Sequence, residues 1–187
     1  IGLLNIADVA VFQSEYQRQF FIRLGYRGKQ SVVIHNGAPP EFWLERQAAV
    51  PENGVLRLIS STASPRRTKR HDLIAQISLC KDVEVCHMGG WPDGLGKGRV
   101  KLLGMLPREK IIEAMTDSQL FLHTAVKDPC PNAIFEAICM GLPVIYNPGV
   151  GSSSEIVGNC GIALDETDLT KTITQARQQL SQLQKTV

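Results

Sequence analysis

The chain alternates short β-branched apolar runs with amphipathic stretches, and glycine, proline or asparagine punctuates the joins. Strands are predicted at Asp8–Phe12, Ser31–Ile34, Val55–Ser60, Val83–His87, Val100–Leu103, Gln119–Leu122, Pro143–Tyr146 and Gly161–Ala163. Helices are predicted at Glu15–Arg23, His71–Leu79, Arg108–Met115, Asn132–Met140 and Asp168–Leu183. Most of the strands are unbroken apolar runs, the pattern of strands covered on both faces. Strand followed by helix, repeated, builds right-handed β-α-β units, because only that hand packs the crossover helix back on the sheet. The expected fold is α/β: an open, mostly parallel sheet with helices on both faces and a crevice at the carboxyl ends of its strands.

The 187 residues suffice for one large domain, and 43% hydrophobic with 20% charged residues is an ordinary globular balance. A net charge of +2 gives no footing for a nucleic-acid binder. The apolar runs stop far short of the roughly 18 residues that span a bilayer, and no charged-then-apolar leader opens the chain. Cys80, Cys86, Cys130, Cys139 and Cys160 are odd in number and lack C-x-x-C spacing, so they read as reduced thiols in a cytoplasmic protein. His35, His71, His87 and His123 show no metal-ligand spacing.

A polar, turn-forming break falls at Glu45–Gly54. The segment before it, Ile1–Phe42, is too short to fold around its own core. It either joins the following sheet or belongs with a neighbouring domain. The last predicted helix carries Leu169, Ile173, Ala176, Leu180 and Leu183, a narrow apolar stripe that docks one face and leaves the rest wet.

Two stretches carry the chemistry. In the first, Asp128 leaves a strand, Pro131 suits the first turn of a helix, and the amides of Asn132 and Ala133 are among that helix's free donors. Such a helix start is an anion site. Glu136 lies one turn further in among Ala133, Ile134, Phe135, Ala137 and Ile138. A carboxylate there needs hydrogen bonds, from a sugar hydroxyl pair or from a backbone amide. In the second, Arg66, Arg67, Lys69 and Arg70 crowd a strand-to-helix join. They match a diphosphate in charge, but a solvated basic turn has the same composition. The run Gly89–Gly98 is glycine-rich without opening a helix, and reads as a mobile surface loop rather than a dinucleotide fingerprint. His123 ends a strand near the crevice and reads as a satisfied structural histidine.

Asp128 and Glu136, with seven residues between them and Gly141-Leu-Pro143-Val144 behind, resemble the donor-site signature of the retaining GT-B glycosyltransferases. That family includes sucrose synthases and many polysaccharide and mannosyl transferases. The resemblance runs nearly the whole chain. Ala7-Asp8 through Gln13-Ser14 is similar to its late strand with a serine. Val33–Gly37 with Phe42 is similar to its segment leading into the second domain. Lys69, Asp72 and Leu73 resemble its phosphate loop, Val100–Leu106 its next strand, and Gly149–Ile156 a turn whose Glu155 caps a following helix.

The resemblance implies a Rossmann-like C-terminal domain over residues 43–187, preceded by the tail of another domain over 1–42. It implies a nucleotide diphospho-sugar as donor, with Glu136 on the ribose and Asp128 facing the hexose. The amides beside Pro131, those of Asn132 and Ala133, would receive the phosphates, and Gly104, Met105 and Leu106 would lie against the base. Lys69 and Arg66 (Arg67 fits equally) would stabilise the leaving diphosphate, with no metal or resident cofactor. A sugar or lipid-linked acceptor would be held by an absent N-terminal domain, leaving this piece inactive alone, and the whole protein would be cytoplasmic or peripheral at the inner membrane face. The rival implications are a non-catalytic nucleotide-sugar module and a GT-B-fold epimerase or phosphorylase.

Overall fold

The computed structural model describes residues 1–43 and 54–187, so all of the expected polar break except Gly54 lies outside the described residues. The larger part follows the order β3 (Leu56–Thr62), α3 (His71–Ile77), β4 (Val83–Gly89), β5 (Lys101–Gly104), α4 (Arg108–Thr116), β6 (Leu120–His123), α5 (Asn132–Cys139), β7 (Val144–Tyr146), α6 (Ser153–Val157), β8 (Gly161–Ala163) and α7 (Leu169–Leu183). Its strands form one sheet in the order β5-β4-β3-β6-β7-β8, every neighbouring pair parallel. The expected strands and helices are all present, with no end displaced by more than two residues.

The unbroken apolar runs are explained by the two cores they feed. Leu56 and Leu58 of β3 and Leu120 and Leu122 of β6 face α3 and α7, meeting Leu73, Ile77, Ile173 and Leu180. Ile59, Phe121 and Val144 point the other way, onto Met115 of α4, Ile134 and Ala137 of α5 and Val157 of α6. Each such side chain contributes about 1.5–3 kcal/mol when fully buried. The stripe of α7 is buried at Ile173, Ala176, Leu180 and Leu183, as its spacing predicts.

Residues 1–43 are built separately. After α1 (Gly2–Ile6), β1 (Ala10–Phe12) pairs in parallel, among the described residues, only with β2 (Ser31–Val33), across α2 (Glu15–Arg23). The pair does not join the large sheet. Phe12, Tyr26 and Ala10 make a small core, with the Phe12 and Tyr26 rings edge to face at 5.3 Å. Val9, Val11, Phe20 and Leu24 remain exposed, whereas Phe21 packs on Phe12.

Three sequence expectations are corrected. The stretch Gly149–Ile156 is not a plain turn, because Ser153–Val157 forms helix α6. Glu155, within that helix, caps an earlier one: its carboxylate accepts the amides of Glu15 and Tyr16 at the start of α2, at 2.8 and 3.2 Å, and pairs with His35 Nε2 at 2.8 Å. The loop after β4 is pinned rather than mobile. Gly90 N donates to Thr62 O, its carbonyl faces His71 and His87 at 3.1 and 3.2 Å, and the Trp91 ring packs against both imidazoles. Gly89 is required there, since a Cβ would lie 1.9 Å from Thr62 O at φ +106°.

Candidate functional site

Strands β3, β4 and β5 progress to one side of the sheet and β6, β7 and β8 to the other, so the chain reverses direction between β3 and β6. At such a switch point the loops leaving the two central strands diverge and open a crevice. Lys69 stands in the loop after β3 and Asp128 in the loop after β6. The Lys69 ammonium donates to Asp128 Oδ2 at 2.7 Å, joining two expected site residues 59 positions apart.

Both backbones are tied down. Thr124 Oγ1 donates to Lys69 O at 2.8 Å, and Val126 N donates to Thr68 O at 2.8 Å. Asp128 O accepts both the amide and the hydroxyl of Ser152, and Asp128 Oδ1 accepts the Cys130 amide at 3.3 Å. Thr124 and Val126 thus hold the Lys69 loop and Ser152 the Asp128 backbone, while the Cys130 amide orients the Asp128 carboxylate, leaving the Lys69 side chain the freer of the two.

The four cations of the basic loop are not equivalent. Arg70 is committed to Asp72 and Glu166, each at 3.0 Å, which removes it from the set the charge run offered for a diphosphate. Its backbone is left-handed, φ 53° and ψ 48°, a conformation that favours glycine. Arg66 and Arg67 are exposed, and their guanidinium groups have no partner among the described residues. A charge count could not separate these cases; the partners of Arg70 lie 2 and 96 residues away.

Pro131 is the N-cap of α5, one position before the first turn where it was expected, at φ −71° and ψ 106°. The amides of Asn132 and Ala133 that come next have no acceptor among the described residues, while Ile134 N already donates to Pro131 O. The Asn132 side chain is engaged, since its Oδ1 accepts Asn36 Nδ2 at 2.7 Å. Asn36 also accepts from Gln13, so residues of the small unit reach the start of α5, a link that no local pattern signals.

Glu136 is half-buried and accepts no hydrogen bond from any described residue, which leaves the backbone-amide alternative without support. Burial raises its carboxyl above the usual carboxylate range, and the Arg108 cation opposes that only in part. Gly104 ends β5 with φ +69°, Met105 beside it is exposed, and Leu106 is partly buried against α4. His123 corrects the expectation of a satisfied histidine. It is buried beside Lys69 and Asp128, and its Nε2 has no hydrogen-bond partner among the described residues.

Among the described residues no three His, Cys, Asp or Glu side chains are grouped to hold a metal ion, and no helix is long and apolar enough to cross a membrane.

The fold recurs in solved glycosyltransferase structures. Sucrose-phosphate synthase from Thermosynechococcus elongatus superposes with a TM-score of 0.78 at 16% identity, over 98% of this chain and 52% of that one. Anabaena HepE, in complex with UDP-glucose, gives 0.75 at 18% over 98% and 58%. WaaG, a glycosyltransferase involved in lipopolysaccharide biosynthesis, gives 0.69 at 19% over 93% and 54%. The chain thus spans little more than half the length of these structures, and they share its Rossmann-like GT-B architecture. A comparison with curated proteins finds no match. The family model described as "Glycosyl transferases group 1" matches residues 59–182, from β3 into α7 and across every element of the crevice, and the chain belongs to that family.

Proposed function

We propose that residues 43–187 form the donor-binding domain of a retaining glycosyltransferase whose donor is a nucleotide diphospho-sugar. The observation that carries this is the Lys69–Asp128 pair at the switch point, with the open amides of Asn132 and Ala133 starting the adjoining helix. Cation and amides are two complementary anion-binding devices. The binding of UDP-glucose by HepE, a protein of the same fold, supports a sugar nucleotide as the occupant.

In this reading Lys69 and Arg66 (or its neighbour Arg67) neutralise the diphosphate as the glycosidic bond breaks. Stabilising charge that develops in the transition state is commonly the largest catalytic contribution. The phosphates take the amides of Asn132 and Ala133, and Pro131 fixes where those amides begin. Glu136 accepts the ribose hydroxyls, Asp128 faces the hexose, and Gly104, Met105 and Leu106 line the base. Side chains and amides meet the leaving charge, and the reading calls on no metal ion or resident cofactor.

The acceptor, a sugar or a lipid-linked sugar, is assigned to a second domain that the small unit of residues 1–42 adjoins. The isolated chain then binds donor weakly and turns it over poorly. Titration calorimetry with UDP-, GDP- and ADP-glucose tests the central point. Binding of at least one, weakened in Lys69→Ala, is expected; binding of none by a folded chain overturns the reading.

A further inference from the structure

The proposed function asks Lys69 to meet a diphosphate, yet its ammonium already holds Asp128 at 2.7 Å. The two backbones cannot move apart to resolve this. Thr124 and Val126 clamp the loop of Lys69 to the end of β6, and Ser152 clamps Asp128. When a ligand draws the ammonium away, the Asp128 carboxylate stays in place with its side chain only 14% exposed. Its Oδ1 keeps the Cys130 amide, but its charge has lost its cation, and an enclosed carboxylate with one neutral donor is stabilised by a new positive group nearby.

One group is placed to supply it. His123 ends β6 and is buried, with no hydrogen-bond partner at Nε2 among the described residues. A cavity of about 20 Å³, the size of one water, is lined by His123, Lys69, Thr124, Ser60, Ser61 and Thr62 together with three apolar residues, so there is room for one water among polar groups beside the imidazole. Lys69 from the loop after β3 and Asp128 from the loop after β6 are the charged groups that act on His123, and Tyr146 is its register partner on β7.

Resting on that reading of the site, we infer that His123 is a positioning residue that takes up a proton from solvent when the Lys69–Asp128 pair opens. The neutral imidazole sits beside a closed pair of zero net charge. Once the ammonium has turned to the diphosphate, imidazolium replaces it next to Asp128 and keeps the carboxylate fixed toward the sugar. Burial, the largest influence, holds the imidazole below its ordinary range in the closed state. Asp128 pulls upward and Lys69 pushes down, so loss of the cation releases Asp128 to act alone.

Two measurements on the full chain test this. In two-bond ¹H–¹⁵N imidazole spectra, with the His123 signal identified by its loss in His123→Gln, Lys69→Met imitates the open pair. Its His123 midpoint should rise by about 1–3 pH units, the range for an unopposed neighbouring carboxylate, and fall back in the Lys69→Met, Asp128→Asn double variant. Lys69→Gln serves if the methionine variant does not fold. A midpoint that stays put, or a rise that survives Asp128→Asn, overturns the inference. Calorimetry with UDP-, GDP- and ADP-glucose in two buffers of different ionisation enthalpy gives the second readout. Proton uptake by the parent chain that vanishes in His123→Gln supports the inference, and equal uptake in both overturns it. Failure of all three nucleotides to bind sinks the donor-site reading alone, since the spectroscopic result decides the role of His123 without a ligand.

Discussion

Arg70 reaches Glu166 at 3.0 Å from a left-handed backbone, so one residue accepts conformational strain and ties the start of α3 to the loop before α7. The strain is about 1 kcal/mol for a residue with a Cβ, and partly exposed ion pairs contribute about 0–1 kcal/mol each. Strain and pairs nearly cancel. Arg70→Gly should therefore change stability by less than about 1 kcal/mol, while Arg70→Ala keeps the strain, loses the pairs and falls about 1 kcal/mol below the glycine variant. Urea unfolding of the three proteins gives the order; an alanine variant as stable as the glycine one removes the strain argument.

Glu155 should hold the small unit in place. It gathers the amides of Glu15 and Tyr16 and the ring of His35, contacts that reach 120 to 140 positions along the chain. Burial alone would raise its carboxyl, but the Glu15 amide, His35 and the Tyr16 amide together bring it below the usual range. Glu155→Ala should cost about 1–2 kcal/mol, given partly exposed bonds to a charged acceptor. Limited proteolysis should then cut within residues 1–43 sooner while 54–187 resist. Unchanged cleavage in residues 1–43 would show that other contacts anchor the unit.

The sheet, the two-sided cover and the stretch Asp128–Glu136 are legible in the sequence because they are local: strands of β3 and β6 type are unbroken apolar runs, and the acidic pair lies within nine residues. The features that escape a sequence reading are long-range. The basic run names four cations but not that Arg70 is committed to Glu166, since that depends on a fold bringing together residues 96 apart. Glu155 suggests a cap for a helix downstream of it, because its true partners on α2 are remote in sequence. The loop at Gly89–Gly98 suggests freedom because glycines usually loosen a chain, whereas Gly89 is there to let the backbone approach Thr62 closely. His123 suggests a satisfied side chain because most buried histidines are, and no sequence pattern signals a missing partner.

His87 should make the protein sensitive to acid. Burial pushes its imidazole down from 6.5 to about 4, with the Gly90 carbonyl opposing and His71 adding to the shift. The unfolded chain takes a proton below about pH 6.5 and the folded chain resists until about 4, so stability is fully present above 6.5 and falls across that window. The loss from this residue is on the order of 3 kcal/mol at the lower end. His71 and His123 are shifted the same way by burial. Denaturant midpoints measured from pH 7 to 4.5 should fall less steeply in His87→Gln than in the parent; parallel curves would refute the assignment.

Lys69→Ala, made in a full-length enzyme, should separate turnover from binding. The diphosphate gains charge only as the glycosidic bond breaks, so an aligned cation is worth more in the transition state than in the bound ground state. A fall of about 10²–10³ in kcat, with a smaller loss of donor affinity, is expected for removal of one such stabiliser. Equal losses in both would reduce Lys69 to a binding residue.

If Glu136 binds the donor as proposed, it sets function against stability, and the opposition can be measured. The half-buried carboxylate accepts no hydrogen bond from a described residue, and burial raises its pKa above the ordinary value near 4.5. A raised carboxyl favours its protonated form in the folded chain. The native state is therefore relatively favoured below the ordinary value and loses that advantage as pH rises through the folded value. Glu136→Gln removes the charge while keeping the shape, so the ligand-free variant should melt higher than the parent at pH 7, with the gap closing below about pH 4.5. On the proposed role the same substitution should weaken sugar-nucleotide binding by about 1.5–3 kcal/mol, because the ribose would lose a charged acceptor. A structural carboxylate behaves otherwise: its removal lowers the melting temperature and leaves affinity alone. A variant less stable at pH 7 that binds donor as the parent does would return Glu136 to the scaffold.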